Sequence, residues 1–216
     1  MAKAKAVPAV QTGEAVSIAR PNLNEVDFHV VGSAPYVQHK FSQKARTQML
    51  QKQQAGSTAR GKKTHEARDI EAEYAAAMHV DYQGNPGIPA PAFRSAMISA
   101  CRLVGFQMTK AKLSVFVLSD MLDVDDGTPL VPIIGEPEMH QASVRLESGV
   151  ASVAIRPMWR KWSATVRVRY DADQFTMQDV CNLMMRAGQQ VGIGEGRPDS
   201  KKSHGMGWGT FDIVEG

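Results

Sequence analysis

The chain has 216 residues, of which 43% are hydrophobic, with a net charge of +3 at pH 7 and a pI of about 8.9. That length and apolar content are sufficient for one buried core. The net charge is too small for a dedicated duplex-DNA binder, which is typically strongly basic. The sequence has no signal-peptide pattern and no apolar run of membrane-spanning length, so we expect a cytoplasmic protein without membrane contact.

The two cysteines, Cys101 and Cys181, both lie within apolar helical patterns. We therefore expect buried, reduced thiols that act as small hydrophobic side chains. A zinc site requires more cysteines or histidines at close spacing, so we expect no metal and no cofactor.

Residues 1–22 are rich in Ala, Lys, Pro, Gln and Thr and lack periodicity, which predicts a disordered N-terminal arm. Residues 23–216 are expected to form a single domain. Two insertions are expected to interrupt that domain, a basic one over about 40–80 and an acidic, Pro-rich one over about 119–140.

The first half of the domain predicts one strand, one helix and a second strand. Residues 26–31 alternate between polar and apolar and end at Gly32, as a strand does. Residues 92–104 form a helical pattern that follows Pro91 and ends at Gly105. The apolar residues 112–118 predict a buried strand.

The second half predicts a hairpin over residues 143–156 and a strand over residues 164–170. A helix is expected to start at a capping box of Thr176 and Asp179, and a last strand covers residues 210–214. Without the insertions the order is βαββαβ. This order predicts an α+β fold of the modified ferredoxin-like (RRM-like) kind, with a glycine-rich loop before the last strand.

That loop is the most informative feature of the sequence. Six glycines lie between Gly192 and Gly209, together with Arg197, Lys201, Lys202 and His204. Exposed main-chain amides beside cations bind phosphate oxygens without reading sequence. The Gly-Lys-Ser/Thr ending of a P-loop is missing, and the run follows a helix rather than a strand, which disfavours a Rossmann fingerprint. A plain flexible loop is the alternative.

Basic and aromatic residues elsewhere suggest the same chemistry. Residues 156–162 hold two tryptophans beside three bases, and the following strand carries two arginines on its polar face. Bases could stack on such tryptophans, although the rings could equally cover the edge of the core. Residues 40–68 contain eight bases and one acid, which is compatible with a nucleic-acid-binding arm or with a solvated insertion. The candidate binding residues are Lys40, Lys44, Arg46, Arg156, Trp159, Arg160, Lys161, Arg167, Arg169, Gly194, Gly196, Arg197, Lys201 and Lys202.

Two further groups of residues are candidates for catalysis or metal binding. His39 and His204 lie beside bases and could act as general acid or base in metal-independent RNA cleavage, although a lone histidine is more often structural. The acidic cluster Asp120, Asp123, Asp125 and Asp126 lacks EF-hand spacing, so we expect a solvated loop there.

Three stretches resemble the RAMP superfamily of CRISPR systems, and most of all its backbone subunit that coats guide RNA. They are residues 28–36 (FHVVGSAPY), residues 88–97 (IPAPAFRSAM) and the glycine run 192–209 followed by Phe211-Asp-Ile. The resemblance implies a ferredoxin-like RNA-recognition core, head-to-tail assembly, and backbone contacts from Lys40 with the basic segment after it and from the glycine loop with Arg197. Residues 198–203 lengthen that loop relative to the family pattern. The chain could therefore also be a phage or mobile-element relative that acts outside a CRISPR complex.

These observations together predict a protein that binds single-stranded RNA, or single-stranded DNA, and assembles along the strand as a homo-oligomer or ribonucleoprotein, without catalysis. Two alternatives stay open. One is an endoribonuclease of the guide-RNA-processing type, and the other is an assembly protein that binds no nucleic acid.

Overall fold

The computed structural model describes residues 18–41, 68–145, 151–200 and 205–214, together with residues 46, 47, 50, 51 and 54. It shows an α+β protein in which every pairing between its named strands is antiparallel. None of the helices in those ranges is both long enough and apolar enough to cross a bilayer.

Ten strands are found in the described ranges. They are β1 (Leu23–Gly32), β2 (Tyr36–Val37), β3 (Gly87–Pro89), β4 (Val115–Leu118), β5 (Met121–Leu122), β6 (Pro129–Ile134), β7 (Pro137–Arg145), β8 (Ala151–Trp159), β9 (Ser163–Asp171) and β10 (Phe211–Val214).

Four α-helices accompany these strands in the same part of the chain. They are α1 (Ile70–Ala76), α2 (Ala90–Ala100), α3 (Met108–Ser114) and α4 (Met177–Arg186). A short 3₁₀ turn (Cys101–Val104) extends α2, and a π turn (Ala187–Val191) extends α4.

The strands form two sheets. In the seven-stranded sheet the order is β10, β1, β9, β6, β3, with β4 also paired to β9 and β5 paired to β6. The second sheet has the order β2, β8, β7 and consists mainly of the long hairpin between β7 and β8. The register of the main sheet sets Asp27 opposite Arg167 and Glu25 opposite Arg169.

The core lies between one face of the main sheet and the helices α2 and α4. Strand β9 shows why, because Val166 and Val168 are fully buried on that face while Arg167 between them is exposed. From α2, Phe93 and Met97 are fully buried, and the ring of Phe93 meets Phe211 of β10 edge-on with centroids 5.6 Å apart.

Several predicted boundaries are confirmed. Pro91 occupies the first turn of α2, and Gly105 ends the 3₁₀ turn in a left-handed conformation with φ +68°. Both bonds of the Thr176–Asp179 capping box are present at the start of α4. Strand β1 begins directly after the predicted N-terminal arm, of which only residues 18–22 are described.

Three predictions require correction. Residues 112–118 were expected to be one strand, but α3 continues to Ser114 and only Val115–Leu118 are extended. The segment 119–140 was expected to be an acidic, Pro-rich insertion with a short apolar piece, and no strand was assigned to it. It supplies β5, β6 and the start of β7, and β6 pairs with β9, because its apolar residues Leu130, Val131 and Ile133 are buried. Cys101 is buried as expected, whereas Cys181 is only half-buried.

Candidate nucleic-acid interface

Lys40, expected to contact a phosphate backbone, instead lies in the protein interior. Its side chain is 4% exposed, and its Nζ is 2.7 Å from Oδ1 of Asp123 and 2.5 Å from Oδ2 of Asp125. Asp123 is itself completely buried. The expectation of a solvated acidic loop is therefore wrong at Asp123, and Lys40 has no free charge to offer a ligand in this conformation.

A histidine and a glutamine complete this cluster. Nδ1 of His79 lies 2.7 Å from Oδ2 of Asp123, and it carries the proton because an ionised carboxylate only accepts hydrogen bonds. Gln38 accepts a bond from the His79 main-chain N–H and donates one to the Gly87 carbonyl. We call Gln38, Lys40, His79 and Asp123 the Asp123 cluster.

Two opposing influences set the pKa of Asp123. Burial opposes ionisation and would raise the pKa, but the hydrogen bonds from Lys40, the Asp125 main-chain N–H and His79 outweigh it. The pKa consequently lies below its usual range. Burial alone would lower the pKa of Lys40, yet its hydrogen bonds to Asp123 and Asp125 raise it. The pair is therefore ionised at neutral pH and ties the segment after β2 to the turn after β5.

Trp159 cannot stack on a base in this conformation, which corrects the expectation made for it. Its side chain is completely buried, and its ring lies 5.6 Å from that of Tyr36. Trp162 is also buried, and its Nε1 donates to the Ala34 carbonyl. The two tryptophans thus cover the edge of the core, as the alternative interpretation held.

Most of the predicted basic residues in the described ranges are paired with a carboxylate. Nε of Arg156 lies 2.7 Å from Glu195, and Nε of Arg167 lies 3.0 Å from Asp27. Two other arginines, Arg46 and Arg160, lie 2.8 Å from Asp126 and 2.5 Å from Glu138 respectively. The Arg156 side chain is only 15% exposed, whereas the other three arginines lie on the surface, where ion pairs contribute little and exchange partners readily. Those three therefore differ from the buried Lys40.

His39 lies beside one of these ion pairs. Its Nδ1 is 3.3 Å from a terminal nitrogen of Arg156 and 3.5 Å from Oε2 of Glu195. Burial and the neighbouring guanidinium lower the pKa of His39, and Glu195 only partly opposes them. The imidazole is therefore neutral at physiological pH.

The glycine-rich segment is neither loose nor wholly buried. Its first part packs on β2, where the Glu195 main-chain N–H donates to the Val37 carbonyl. The Gly209 N–H donates to Pro35, and the Ile193 N–H donates to Gly209, which closes the segment onto itself. A Cβ at Gly209 would lie 1.8 Å from the Ile193 carbonyl oxygen, so only glycine fits there.

The turn Gly194–Arg197 leaves main-chain donors unused. Within the described ranges, the N–H groups of Gly194, Gly196 and Arg197 donate no hydrogen bond. Gly194 and Gly196 are both left-handed, with φ +76°, and flank Glu195. Arg197 donates to the Gly194 carbonyl at 2.9 Å and is half-buried, with no carboxylate paired to it in the described ranges.

Three predicted binding residues and one candidate catalytic residue lie outside the described residues. They are Lys44, Lys201, Lys202 and His204. Lys161, at the turn between β8 and β9, is exposed. No group of histidine, cysteine or acidic side chains suited to a metal ion occurs in the described ranges.

Sequence reasoning missed a second group of unpaired cations at the free edge of β4. The Phe116 ring has the guanidinium carbon of Arg94 at 5.1 Å and that of Arg169 at 5.6 Å from its centroid. Residues 112–118 had been interpreted as one buried strand. The helix end at Ser114 shifts that pattern and turns Phe116 toward the outer face, opposite Arg169.

A groove of about 740 Å³ lies between the 3₁₀ extension of α2 and helix α4. Its apolar wall includes Phe106 and Phe175, whose rings are 4.7 Å apart. None of the predicted binding residues lines this groove.

Comparison with known proteins adds no assignment. No protein-family model matches the chain, and no curated protein matches its sequence.

Proposed function

We propose that this protein binds single-stranded nucleic acid, RNA foremost, and assembles along the strand, with the turn Gly194–Arg197 contacting the sugar-phosphate backbone. The single observation that carries the proposal is that, among the described residues, this turn combines three unused main-chain donors with a guanidinium that has no carboxylate partner. Free main-chain N–H groups in a turn conformation can form an anion-binding concavity, although the Glu195 N–H between them is used by the Val37 carbonyl.

The strand order supports a modified ferredoxin-like core for this function. Four strands lie in the order β10, β1, β9, β4, all antiparallel. Helix α2 lies between β1 and β4 in the chain, and α4 lies between β9 and β10. This order of strands and helices supports the split βαβ, ferredoxin-like core that we propose.

The surrounding charges are compatible with an anion at this turn. Glu195 is compensated by Arg156, and Asp199 is compensated by Arg102 at 2.5 Å. Arg197 therefore adds a positive charge near Asp199, whose ion-pair partner is Arg102, and among the described residues no carboxylate forms an ion pair with Arg197 itself. Because Gly194 packs on β2, the turn is also held in place before a ligand arrives.

A titration of a labelled 20-nucleotide single strand, followed by fluorescence anisotropy at two salt concentrations, tests the proposal. We expect Arg197→Gln to weaken binding by about tenfold, the effect of one charge-assisted hydrogen bond to phosphate. Arg186→Gln is the matched control, because Arg186 is exposed on α4 and bonds only Gln190. Equal affinities for both variants and the wild type would reject this contact.

Assembly along the strand has its own measurement. Light scattering should show a mass that rises with oligonucleotide length, and no such rise in the absence of nucleic acid. Large assemblies that form without any nucleic acid would instead support the purely structural alternative.

A second candidate function, metal-independent RNA cleavage, is favoured by one observation at His39. Its pKa is lowered, and a guanidinium lies 3.3 Å away, so a neutral base stands beside a cation that could stabilise a pentavalent phosphorus. Incubation of labelled RNA with EDTA tests this activity. Cleavage that is lost in His39→Ala would support it, and intact RNA would reject it.

A further inference from the structure

We propose that Arg94, Lys112 and Arg169 form a second anion site around Phe116, which takes phosphate oxygens at the free edge of β4. This site is distinct from the turn Gly194–Arg197. It rests on the contacts and charges of the described residues at the β4 edge.

The first argument is electrostatic. The guanidinium groups of Arg94 and Arg169 both approach one aromatic ring, at 5.1 and 5.6 Å from its centroid. Within the described ranges neither forms an ion pair with a carboxylate, and Lys112 forms none either. Because both guanidinium groups lie beside the same ring, an anion at the edge of that ring is attracted by both charges.

The second argument is preorganisation. Arg94 donates from Nε to the Val115 carbonyl at 2.8 Å and from a terminal nitrogen to the Lys112 carbonyl. These bonds fix the guanidinium at the junction of α3 and β4, so little side-chain entropy is lost on binding. They also place the main chain of Lys112 beside Arg94, while the Lys112 side chain is exposed.

The third argument is an unsatisfied donor. Nε of Arg169 is buried and has no hydrogen-bond partner in the described part of the chain. Its neighbour two residues earlier, Arg167, has Nε bonded to Asp27. Glu25 is the register partner of Arg169, yet no ion pair joins them. Nε of Arg169 is thus a donor without a partner among the described residues, and an anion from outside the chain is the partner that we propose for it.

The arrangement of cations around Phe116 favours phosphate over a planar carboxylate ligand stacked on the Phe116 ring. The Phe116 ring already has two guanidinium neighbours, Arg94 from α2 and Arg169 from β9. We therefore expect a ligand to meet these cations rather than the ring. Guanidinium groups bind phosphate oxygens with two parallel bonds, and an ammonium such as that of Lys112 adds a point charge. Both a nucleic-acid backbone and free inorganic phosphate offer this group.

The experiment follows the arginine Nε–H signals of the full chain by nitrogen-15 NMR during titration with inorganic phosphate. The Arg169 signal, identified by its loss in Arg169→Gln, should shift in a saturable way. The Arg167 signal, identified in the same manner, should stay in place. Absence of a shift at Arg169, or parallel shifts of both signals, would overturn the proposal.

A second measurement distinguishes the sources of phosphate. The affinities for inorganic phosphate and for an oligothymidylate should both fall at least about fivefold in Arg169→Gln and in Lys112→Gln, and should change less than twofold in Arg167→Gln. Loss of phosphate binding with unchanged oligonucleotide binding would assign the site to a free anion. An unchanged oligonucleotide affinity in Arg197→Gln alone would reject the proposed contact at the turn Gly194–Arg197 while leaving this site intact. An unchanged affinity in Arg169→Gln would reject this site alone.

Discussion

The Asp123 cluster and the turn Gly194–Arg197 show two opposite uses of a basic residue that looks the same in the sequence. Lys40 is 4% exposed and lies against two carboxylates, so its charge is used up inside the protein. Arg197 bonds a main-chain carbonyl, and the N–H groups of Gly194 and Gly196 beside it donate no hydrogen bond among the described residues. A local excess of bases therefore does not reveal which of them can meet a ligand, because the neutralising acids come from distant parts of the chain.

The largest effect is expected from removal of the buried cation. Lys40→Met would leave Asp123 ionised and without its main partner, and breaking a buried pair in this way costs about 3–5 kcal/mol. Urea unfolding followed by fluorescence measures the loss. Replacement of both partners, in Lys40→Met with Asp123→Leu, should recover part of it. A loss below about 1 kcal/mol in the single variant would show that the cluster is not closed to water.

The next effect concerns how firmly the glycine segment is held. Gly209→Ala would place a Cβ 1.8 Å from the Ile193 carbonyl oxygen at φ +67°, and overpacking with left-handed strain should cost about 3 kcal/mol. Gly207→Ala is the control, because its φ is +69° but a Cβ there meets nothing within 4 Å. We expect about 1 kcal/mol for that variant. Equal losses in the two variants would mean that the closure at Ile193 contributes nothing.

A pH series examines the Asp123 cluster without a substitution. Because the folded pKa of Asp123 is lowered, its contribution to stability is complete above the unfolded value of about 3.9 and is lost as the pH falls through the folded pKa. The free energy of unfolding should therefore fall as the pH drops below about 4. In Asp123→Asn the slope over that interval should be shallower, and an identical slope would contradict the assignment.

The smallest effect is expected at the surface. Arg160 and Glu138 form an ion pair in which the side chains are 67% and 46% exposed. Such pairs contribute under about 0.5 kcal/mol, so Arg160→Gln should leave the unfolding midpoint almost unchanged. Its effect on oligonucleotide affinity should be similarly small. If Arg160→Gln destabilised the protein nearly as much as Lys40→Met, buried and exposed ion pairs would not differ in their contribution to stability.

Local signals predicted many elements well. The capping box at Thr176, the left-handed Gly105 and the alternation through Val166 and Val168 each depend on neighbours within a few residues, so the sequence contains their cause. The pattern failed at residues 112–118, because a short apolar run does not tell a helix end from a strand. It failed again at β6, whose place in the sheet depends on pairing with a strand some thirty residues later.

The candidate site divides in the same way. The glycine spacing and Arg197 could be identified from the sequence, since left-handed turns require glycine whatever surrounds them. The burial of Trp159, the pairing of Lys40 with Asp123 and the meeting of Arg94 with Arg169 could not be, because each joins segments far apart in the chain.

The amino-acid sequence by itself determined where helices begin and end and which strands bury one face, because hydrophobic period and end residues act locally. Only the tertiary structure decided which charges remain available, because desolvation and Coulomb attraction depend on through-space neighbours. Lys40 and Arg197 are equally basic in the sequence. In the fold, Lys40 is ion-paired in the interior, whereas Arg197 lies beside main-chain donors that are unused among the described residues.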